Sequence, residues 1–440
     1  MRWKVKKIFS DLKNFNIRLW ISLCALALVP ALYQTVKTFL ISFSGQASAF
    51  DIIGQMEWFD LINETLQAFL IIPLYSVLNR IFKHRPDSFA AETFKTGTVS
   101  FILYTLFSVG VLIYGEHLLT AMNPAEIDLS AAAAYLHLET VAFMAGIVVS
   151  FANVVFVVIG KDKNVYIFLV TRTLLSLLAD FILIPVFGIY GVAVSNIISN
   201  TLLSIICAAL LYKQKYIKFC PFKKTDFALF RDWFKTGFFS GLQQFIDNFI
   251  YAVMVCKTVN AVSQSGNYWI ANNFIWGWLL IPVTALAEVI RSDCKDGYEN
   301  LHKSNYHFIA LLSFALWIIT VPLWTPFFRC CQHLENAEEI FFIVIKLVPF
   351  YFAYAGCVII DNIFIGLGKT VCTAVNSLII NLVYYGIFYI LYITRAVEFN
   401  MNTIILMFGF GMVAHLAISV VEERIVGKRI NKTSQTAAPD

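Results

Sequence analysis

The stretch FLIIPLYSVL at Phe69–Leu78 occurs a second time in the chain, as WLLIPVTALA at Trp278–Ala287. In this alignment Pro73 lies over Pro282. One match between apolar segments is weak evidence by itself, because such segments resemble one another in composition. Further matches at the same interval would indicate an internal duplication.

Two further pairs of segments match at nearly the same interval. LYQTVKTFLI at 32–41 aligns on LQQFIDNFIY at 242–251, with Lys37 over Asp247. NVVFVVIGK at 153–161 aligns on DNIFIGLGK at 361–369. Three matches in the same order predict two parallel six-helix bundles related by a pseudo-two-fold axis along the membrane normal.

The composition places the chain in a membrane. Of its 440 residues 59% are hydrophobic and 14% are charged, and the mean hydropathy is +0.72. An apolar segment of about 20 residues spans a bilayer, and about twelve such segments follow one another. They lie near 17–43, 58–82, 96–119, 131–159, 164–186, 188–212, 235–260, 268–291, 307–328, 339–366, 370–394 and 401–421.

These spans predict an all-α integral membrane protein with five regions. The regions are an N-terminal segment 1–16, a first bundle 17–212, a linker 213–234, a second bundle 235–421 and a tail 422–440. Lysine and arginine gather in alternate loops, and such loops stay cytoplasmic. Both termini and the linker are therefore predicted to be cytoplasmic. The net charge of +5 follows from this asymmetry and gives no reason to expect a nucleic-acid partner.

Ionisable and amide side chains inside the spans are the candidate functional residues, because a charge at the bilayer centre costs about 2.5–3.5 kcal/mol. In the second span, Asp60 and three other polar residues recur at helical spacing on one face. Asp60 is equally consistent with a position near the outer interface. The residues expected to line a substrate cleft are Glu64, Asn63 and Gln67, with Asn272, Asn273 and Trp276 at or near the repeated positions.

Asp247 and Asp361 lie at comparable apolar depth in the seventh and tenth spans. Two facing carboxylates could hold a proton or a sodium ion. Alternatively, each carboxylate hydrogen-bonds a neighbouring helix, and Asn248 and Asn362 could do the same. His415 is interpreted as a polar residue between helices.

The sequence resembles the multidrug and toxin extrusion (MATE) transporters of the multidrug/oligosaccharidyl-lipid/polysaccharide (MOP) flippase superfamily. The likeness rests on the motifs around Pro73 and Pro282, the turns Gly160-Lys161 and Gly368-Lys369, and ADFILIPVFGIYGVAVSN at Ala179–Asn196. It extends over almost the whole chain, and the last motif is shared with lipid flippases of the superfamily.

The resemblance implies where cation coupling takes place. In one branch a carboxylate on helix seven, ten residues after a glycine, works with an aspartate on helix ten, which corresponds to Gly237, Asp247 and Asp361 in this chain. Sodium at Asp247 and Asp361 is one possibility and a proton is the other. In another branch coupling uses helices one and five. Asp180 matches the helix-five aspartate.

Lys37 and Ser176 depart from that second pattern, since Lys37 stands where the branch has an aspartate and Ser176 where it has an asparagine. An ammonium group cannot ligate a cation. The sequence therefore predicts that Lys37 pairs with Asp180, with Glu64 as the second choice, which leaves coupling to the second bundle.

The resulting functional prediction is a monomeric antiporter in a bacterial cytoplasmic membrane. It would export small organic compounds, cationic or amphipathic, in exchange for protons or sodium, with no cofactor. The alternatives are a flippase for a lipid-linked precursor, which Lys37 and Arg172 favour, and a transporter-derived binding or scaffold protein. No HExxH, P-loop or GxSxG motif is present, so enzyme activity is not predicted.

Overall fold

A computed structural model describes residues 15–46, 48–124, 129–222, 226–262, 265–294 and 301–436. Within these ranges the chain forms helices and no strand. Most of the predicted N-terminal segment, at 1–14, lies outside the described residues, as do linker positions 223–225 and tail positions 437–440.

The helices of the described ranges follow one another with short connections. In chain order they are α1 Ile17–Phe43, α2 Ala49–Gln55, α3 Glu57–Leu70, α4 Ile72–His84, α5 Pro86–Met122, α6 Ser130–Val158, α7 Asp162–Phe187, α8 Ile189–Lys213, α9 Phe227–Tyr251, α10 Lys257–Asn260, α11 Ser265–Phe274, α12 Ile281–Asp293, α13 Lys303–Pro326, α14 Ala337–Gly366, α15 Thr370–Ile379, α16 Gly386–Ile393 and α17 Met401–Thr436. Wider π-helical turns continue α9 over Ala252–Cys256, α11 over Ile275–Leu279, α13 over Phe327–Cys331 and α15 over Ile380–Tyr385.

Many of these helices can cross a membrane. Among the described residues, 10 helices are long and apolar enough to span, and a pair bent by 51°, Ser265–Leu279 with Ile281–Asp293, makes up to 11. The seventh predicted span corresponds to α9 and its continuation to Asn260. The predicted all-α integral membrane fold is thus confirmed.

The described helices pack into two compact units. The first unit is Thr35–Gly266, and the second unit combines Met1–Gln34 with Asn267–Asp440. The beginning of α1 therefore packs with the second unit, while α9 packs with the first. The bundle boundaries 17–212 and 235–421 are those of the duplicated sequence and stay a prediction.

The proline motif of the first unit breaks a span at Ile71. The ring of Pro73 offers no N–H, and the amide of Leu74 donates to the carbonyl of Ile71 at 3.0 Å. The indole Nε1 of Trp233, a fully buried side chain of α9, donates to the carbonyl of Leu70 at 3.0 Å. The break is therefore closed by a side chain from another helix.

The repeated motif of the second unit has the same backbone arrangement. The amide of Val283 donates to the carbonyl of Leu280 at 2.9 Å, as Leu74 does to Ile71. Two indoles donate hydrogen bonds to carbonyl oxygens around this break. Trp317 donates to Leu279 at 2.8 Å, and Trp20 of α1 donates to Pro282 at 2.9 Å.

The two glycine-lysine turns also share one geometry. Gly160 and Gly368 each have a φ of +71°. The amide of Lys161 donates to Phe156 at 2.8 Å, and the amide of Lys369 donates to Phe364 at 2.8 Å. This six-to-one bond is that of a helix ending in a left-handed glycine. The aligned sequences thus fold alike in the two units.

Helix α9 lies very close to α3 because two glycines face it. A Cβ on Gly237 would lie 2.3 Å from the carbonyl oxygen of Phe69, and one on Gly241 would lie 2.3 Å from the Phe69 ring. Small residues four apart allow such close approach between membrane helices. Further along α9, the Nδ2 of Asn248 donates to the carbonyl of Leu61 at 2.9 Å.

Candidate functional site

The first unit carries an acidic surface on α3. Asp60 and Glu64, four residues apart, are exposed, whereas the neighbouring Trp58 and Phe59 are buried. Asp60 lies in electrostatic range of four ionisable groups, namely Glu57, Glu64, Glu139 and Lys37. Four carboxylates therefore share one lysine, and the surface attracts positive charge wherever these acids are ionised.

Neighbouring helices fix this acidic surface. The Nδ2 of Asn248 on α9 donates to the Oγ1 of Thr65 at 3.1 Å and lies 3.5 Å from Glu64 Oε2. Glu139 on α6 is 6% exposed, and its Oε1 accepts from Tyr135 at 3.0 Å and Asn196 at 2.8 Å. Two hydrogen bonds hold the Glu139 carboxylate in one orientation.

The polar residues predicted for the cleft on α3 differ in their contacts and in their exposure. The hydroxyl of Tyr104 donates to Oδ1 of Asn63, which ties α5 to α3. Gln67 is half-buried, and its carbonyl accepts from the amide of Ile71 at 2.8 Å, at the end of the helix before the break. Glu64, the most exposed of the three predicted residues on this face, is the one most accessible to a ligand.

Lys37 is half-buried on α1, and Asp180 is fully buried on α7. Among the described residues, no ion pair within 4.0 Å joins Lys37 to Asp180 or to Glu64. The pairing of Lys37 with Asp180 or with Glu64 stays a prediction. The charge of Lys37 acts on Asp60, which lies within its electrostatic range.

Asp247 and Asp361 belong to different units, since α9 packs with the first and α14 with the second. Asp247 is half-buried next to Asn248, whose amide holds α3. The role of Asp247 in ion coupling stays a prediction.

Asp361 lies at the centre of a polar cluster in the second unit. Its Oδ2 is 2.9 Å from the Nε2 of His415, and its Oδ1 accepts a hydrogen bond from Ser419 Oγ at 2.9 Å. The Nδ2 of Asn376 on α15 donates to the same Ser419 Oγ at 2.7 Å. Three helices, α14, α15 and α17, therefore meet at one carboxylate.

Two tyrosines on the same helix as Asp361 contact Trp276 of the π-helical turn that continues α11. The ring of Trp276 makes edge contacts with Tyr354, at 5.3 Å between centroids, and with Tyr351, at 6.3 Å. The hydroxyl of Tyr351 lies 3.5 Å from Oδ1 of Asn272. Trp276 is 40% exposed, and Asn273 is exposed as well. Of the predicted residues of the second unit, Trp276 and Asn273 are thus exposed, whereas Asn272 is buried.

Sequence reasoning missed the partners in both clusters of the second unit. His415 and Ser419 are four residues apart, so they share one face of α17, which the spacing could have indicated. Their distance from Asp361 along the chain hides the contact. Tyr351 and Tyr354 give no polar signal within an apolar span, because a buried aromatic residue is ordinary there.

The described residues contain no group of three or more histidine, cysteine or acidic side chains arranged to hold a metal ion. The cluster around Asp60 is rich in carboxylates, and the cluster around Asp361 is a carboxylate surrounded by hydrogen-bonding side chains. Their chemistry suits transport better than catalysis.

Comparison with known proteins shows which solved structures share this architecture. No protein-family model matches the sequence, and no curated protein matches it. Solved structures do match. A multidrug resistance MATE transporter of the MOP superfamily in its inward-facing conformation has a TM-score of 0.68 at 17% identity, over 92% of this chain and 96% of that one. The chain has the MATE fold.

Two other structures support this assignment. A MATE transporter of Vibrio cholerae superposes with a TM-score of 0.66 at 14% identity, over 96% of this chain and 98% of that one. A MOP superfamily transporter of Pyrococcus furiosus, whose binding pocket is described as having reverse polarity, superposes at 0.64 and 17% identity, over 94% and 95%. The resemblance inferred from the sequence is confirmed at the level of the fold, which has twelve transmembrane helices in MATE transporters.

Proposed function

We propose that this protein is a secondary active antiporter that exports organic cations or cationic amphipathic compounds by alternating access. Inward movement of protons or sodium would drive export. The observation that carries the proposal is the acidic surface on α3, where Asp60 and Glu64 are exposed beside Glu57 and Glu139. Within a MATE fold, such a surface favours a positively charged cargo.

The aromatic surface of the second unit supports the same cargo. A cation near the face of a tryptophan or tyrosine gains about 0.5–2 kcal/mol, depending on how far it is desolvated. Trp276 is accessible, and it is held by edge contacts to Tyr351 and Tyr354. The ring is thereby presented in a fixed orientation, which lowers the entropy that binding would otherwise lose.

Coupling of export to an ion is proposed for Asp247, Asp361 and Asp180. Each is a carboxylate within a predicted span, and Asp180 is fully buried, so a cation bound there would change the local charge strongly. We further propose that the protein acts as a monomer in a bacterial cytoplasmic membrane with both termini inside. The one-sided distribution of lysine and arginine supports this orientation.

The proposal is tested in proteoliposomes loaded with a fluorescent organic cation. Efflux is measured under an imposed proton or sodium gradient. The Asp361→Asn and Asp247→Asn variants are expected to lose at least about tenfold in gradient-driven efflux, because an amide cannot bind the coupling ion. Asp232→Asn is the matched control, since its carboxylate is exposed and pairs with Arg80 at 3.1 Å. Unchanged efflux in the first two variants would remove them from the coupling site.

A flippase for a lipid-linked phosphate compound is the second candidate. Lys37 on α1 and the exposed Arg172 on α7 favour it, and a neighbour in fold is described as having a pocket of reverse polarity. Lys37→Met separates the two functions. Removing the positive charge should strengthen binding of organic cations, whereas it should weaken binding of a lipid phosphate.

A further inference from the structure

An apolar cavity opens on the surface of the first unit, among α5, α6 and α8. Its volume is about 240 Å³, and its lining includes Phe94, Phe101, Ile147 and Leu211. Phe101 is 41% exposed, and Leu106 further along α5 is 64% exposed, so this side of the helix faces lipid. Apolar cavities stay free of water. In a membrane, hydrocarbon is therefore what fills this one.

A basic segment after α8 closes the end of the cavity that lies nearest the start of α5. Ile217 lines the cavity, and the amide of its neighbour Lys218 donates to the carbonyl of Ala90 at 3.0 Å. The ring of Phe219 packs on that of Phe94, with 5.1 Å between the centroids. The segment is thus fixed against α5 at the level where the span begins.

Two lysines at this end of the cavity carry exposed side chains. Lys218 follows a lining residue directly, and Lys213, the last residue of α8, comes two residues after the last lining residue of that helix. The third lysine nearby, Lys95 of α5, is buried and already paired, with Asp226 at 2.7 Å and with Glu92 at 3.6 Å. An incoming anion therefore meets Lys213 and Lys218.

We propose that this cavity binds one anionic phospholipid from the leaflet on the side of the basic segment, which the charge distribution predicts to be cytoplasmic. An acyl chain fills the cavity, and the headgroup phosphate lies at Lys213 and Lys218. The lipid is a bound component and not the exported cargo, so the proposal is independent of the transport function. Basic sites between membrane helices on the cytoplasmic side suit anionic headgroups.

The length of the cavity fits an acyl chain. Thr93 is the first residue of α5 that lines it and Phe101 the last. Eight residues of α-helix rise about 12 Å, and the hydrocarbon of one leaflet is about 15 Å deep. The cavity thus extends over most of one leaflet, from the level of the headgroups inward.

A buried hydroxyl lies at the headgroup end. Thr93 is fully buried, and its Oγ1 has no hydrogen-bond partner among the residues that the structure describes. A buried donor without an acceptor is costly. The ester carbonyls of a phospholipid lie just below its phosphate, so a lipid whose phosphate is at Lys218 brings an acceptor to this hydroxyl. The chain and the headgroup are then joined by a polar contact at the expected depth.

Native mass spectrometry of the full-length protein tests the cavity. The protein is mixed in detergent with phosphatidylglycerol or with phosphatidylcholine, and retained lipid is counted. Ala208→Phe fills the cavity from an exposed lining position on α8. It should lower retention of phosphatidylglycerol at least about tenfold, because each methylene group kept out of the cavity costs about fourfold. Ala209→Phe, at the exposed neighbouring position outside the lining, is the matched control.

The headgroup is tested by charge removal. The parent should prefer phosphatidylglycerol to phosphatidylcholine by at least about fivefold, the effect of one lysine near a membrane surface. A variant with both Lys213→Gln and Lys218→Gln should lose this preference and still retain phosphatidylcholine. The control carries Lys83→Gln and Lys235→Gln, two exposed lysines on α4 and α9 that do not line the cavity.

Thr93→Val gives a readout that does not depend on a large side chain. In lipid-free detergent it should unfold at the same temperature as the parent or higher, since it removes an unpaired buried hydroxyl. Phosphatidylglycerol should raise the unfolding temperature of the parent, as any ligand of the folded state does, and that of Thr93→Val less. Equal retention of both lipids by the parent would overturn the proposal. So would retention that Ala208→Phe leaves unchanged, or a dimer whose interface this substitution abolishes.

Discussion

At the scale of single residues, the glycines of the two glycine-lysine turns have the same left-handed conformation. Gly160 and Gly368 have a φ of +71°, and no atom lies within 4 Å of a Cβ placed on either one. Space is therefore available, and only the left-handed backbone disfavours a side chain. Gly160→Ala and Gly368→Ala should each lower the free energy of unfolding by about 1 kcal/mol. Thermal unfolding in detergent measures this loss.

Gly110→Ala is the matched control for those turns. Gly110 lies within α5 and has open space around its Cβ position, as the turn glycines do. Alanine is the better helix former, so this variant should be as stable as the parent or more stable. Equal losses at all three glycines would mean that the loss does not arise from the left-handed turn.

How far the sequence predicts the site also becomes clear at single residues. The spacing of Asp60 and Glu64 on one face was readable, because helical periodicity is a local property. The partner of Asp361 was not, since His415 comes from a helix far along the chain and periodicity says nothing of such contacts. The partner of Lys37 is hidden for the same reason. The sequence shows a positive charge where the related transporters have a negative one, but the distance from Lys37 to Asp180 depends on how α1 and α7 pack.

At the level of elements, the matched positions of Pro73 and Pro282 could be found in the sequence, whereas the helix break at each proline and its hydrogen bonding could not. The sequence does not tell which donor reaches the carbonyl of Leu70. In the structure the donor is Trp233, a fully buried residue of α9. In the second unit the corresponding carbonyl, that of Leu279, accepts from Trp317 of α13, and Trp20 of α1 donates to the carbonyl of Pro282.

Trp233→Phe tests the contribution of this hydrogen bond. The substitution keeps an aromatic ring beside Phe234, whose ring stacks on the indole at 5.1 Å, but it removes the Nε1 donor. A buried carbonyl left without a partner costs about 1–3 kcal/mol. We expect a loss of stability in that range, measured as thermal unfolding in detergent. Trp58→Phe is the control, because that indole is also buried but its Nε1 has no hydrogen-bond partner among the described residues, so the loss should be smaller.

On the scale of the whole molecule, the predicted orientation can be checked through native cysteines. Cys330 and Cys331 are exposed in the π-helical turn that ends α13, on the side of the membrane that the charge distribution places outside. Cys220 is half-buried between α8 and α9, in the basic segment predicted to be cytoplasmic. The two sets of thiols should therefore face opposite sides of the membrane, because basic loops are retained on the inner side.

A maleimide that cannot cross membranes separates these sites in right-side-out vesicles. It should label the parent protein in sealed vesicles and not a variant carrying Cys330→Ser and Cys331→Ser. Permeabilised vesicles of that variant should then react, and Cys220→Ser should remove most of the new signal. Labelling of the double variant in sealed vesicles would show that the orientation is opposite to the predicted one. The proposed direction of export would then reverse as well, since it depends on which ends of the helices face the cytoplasm.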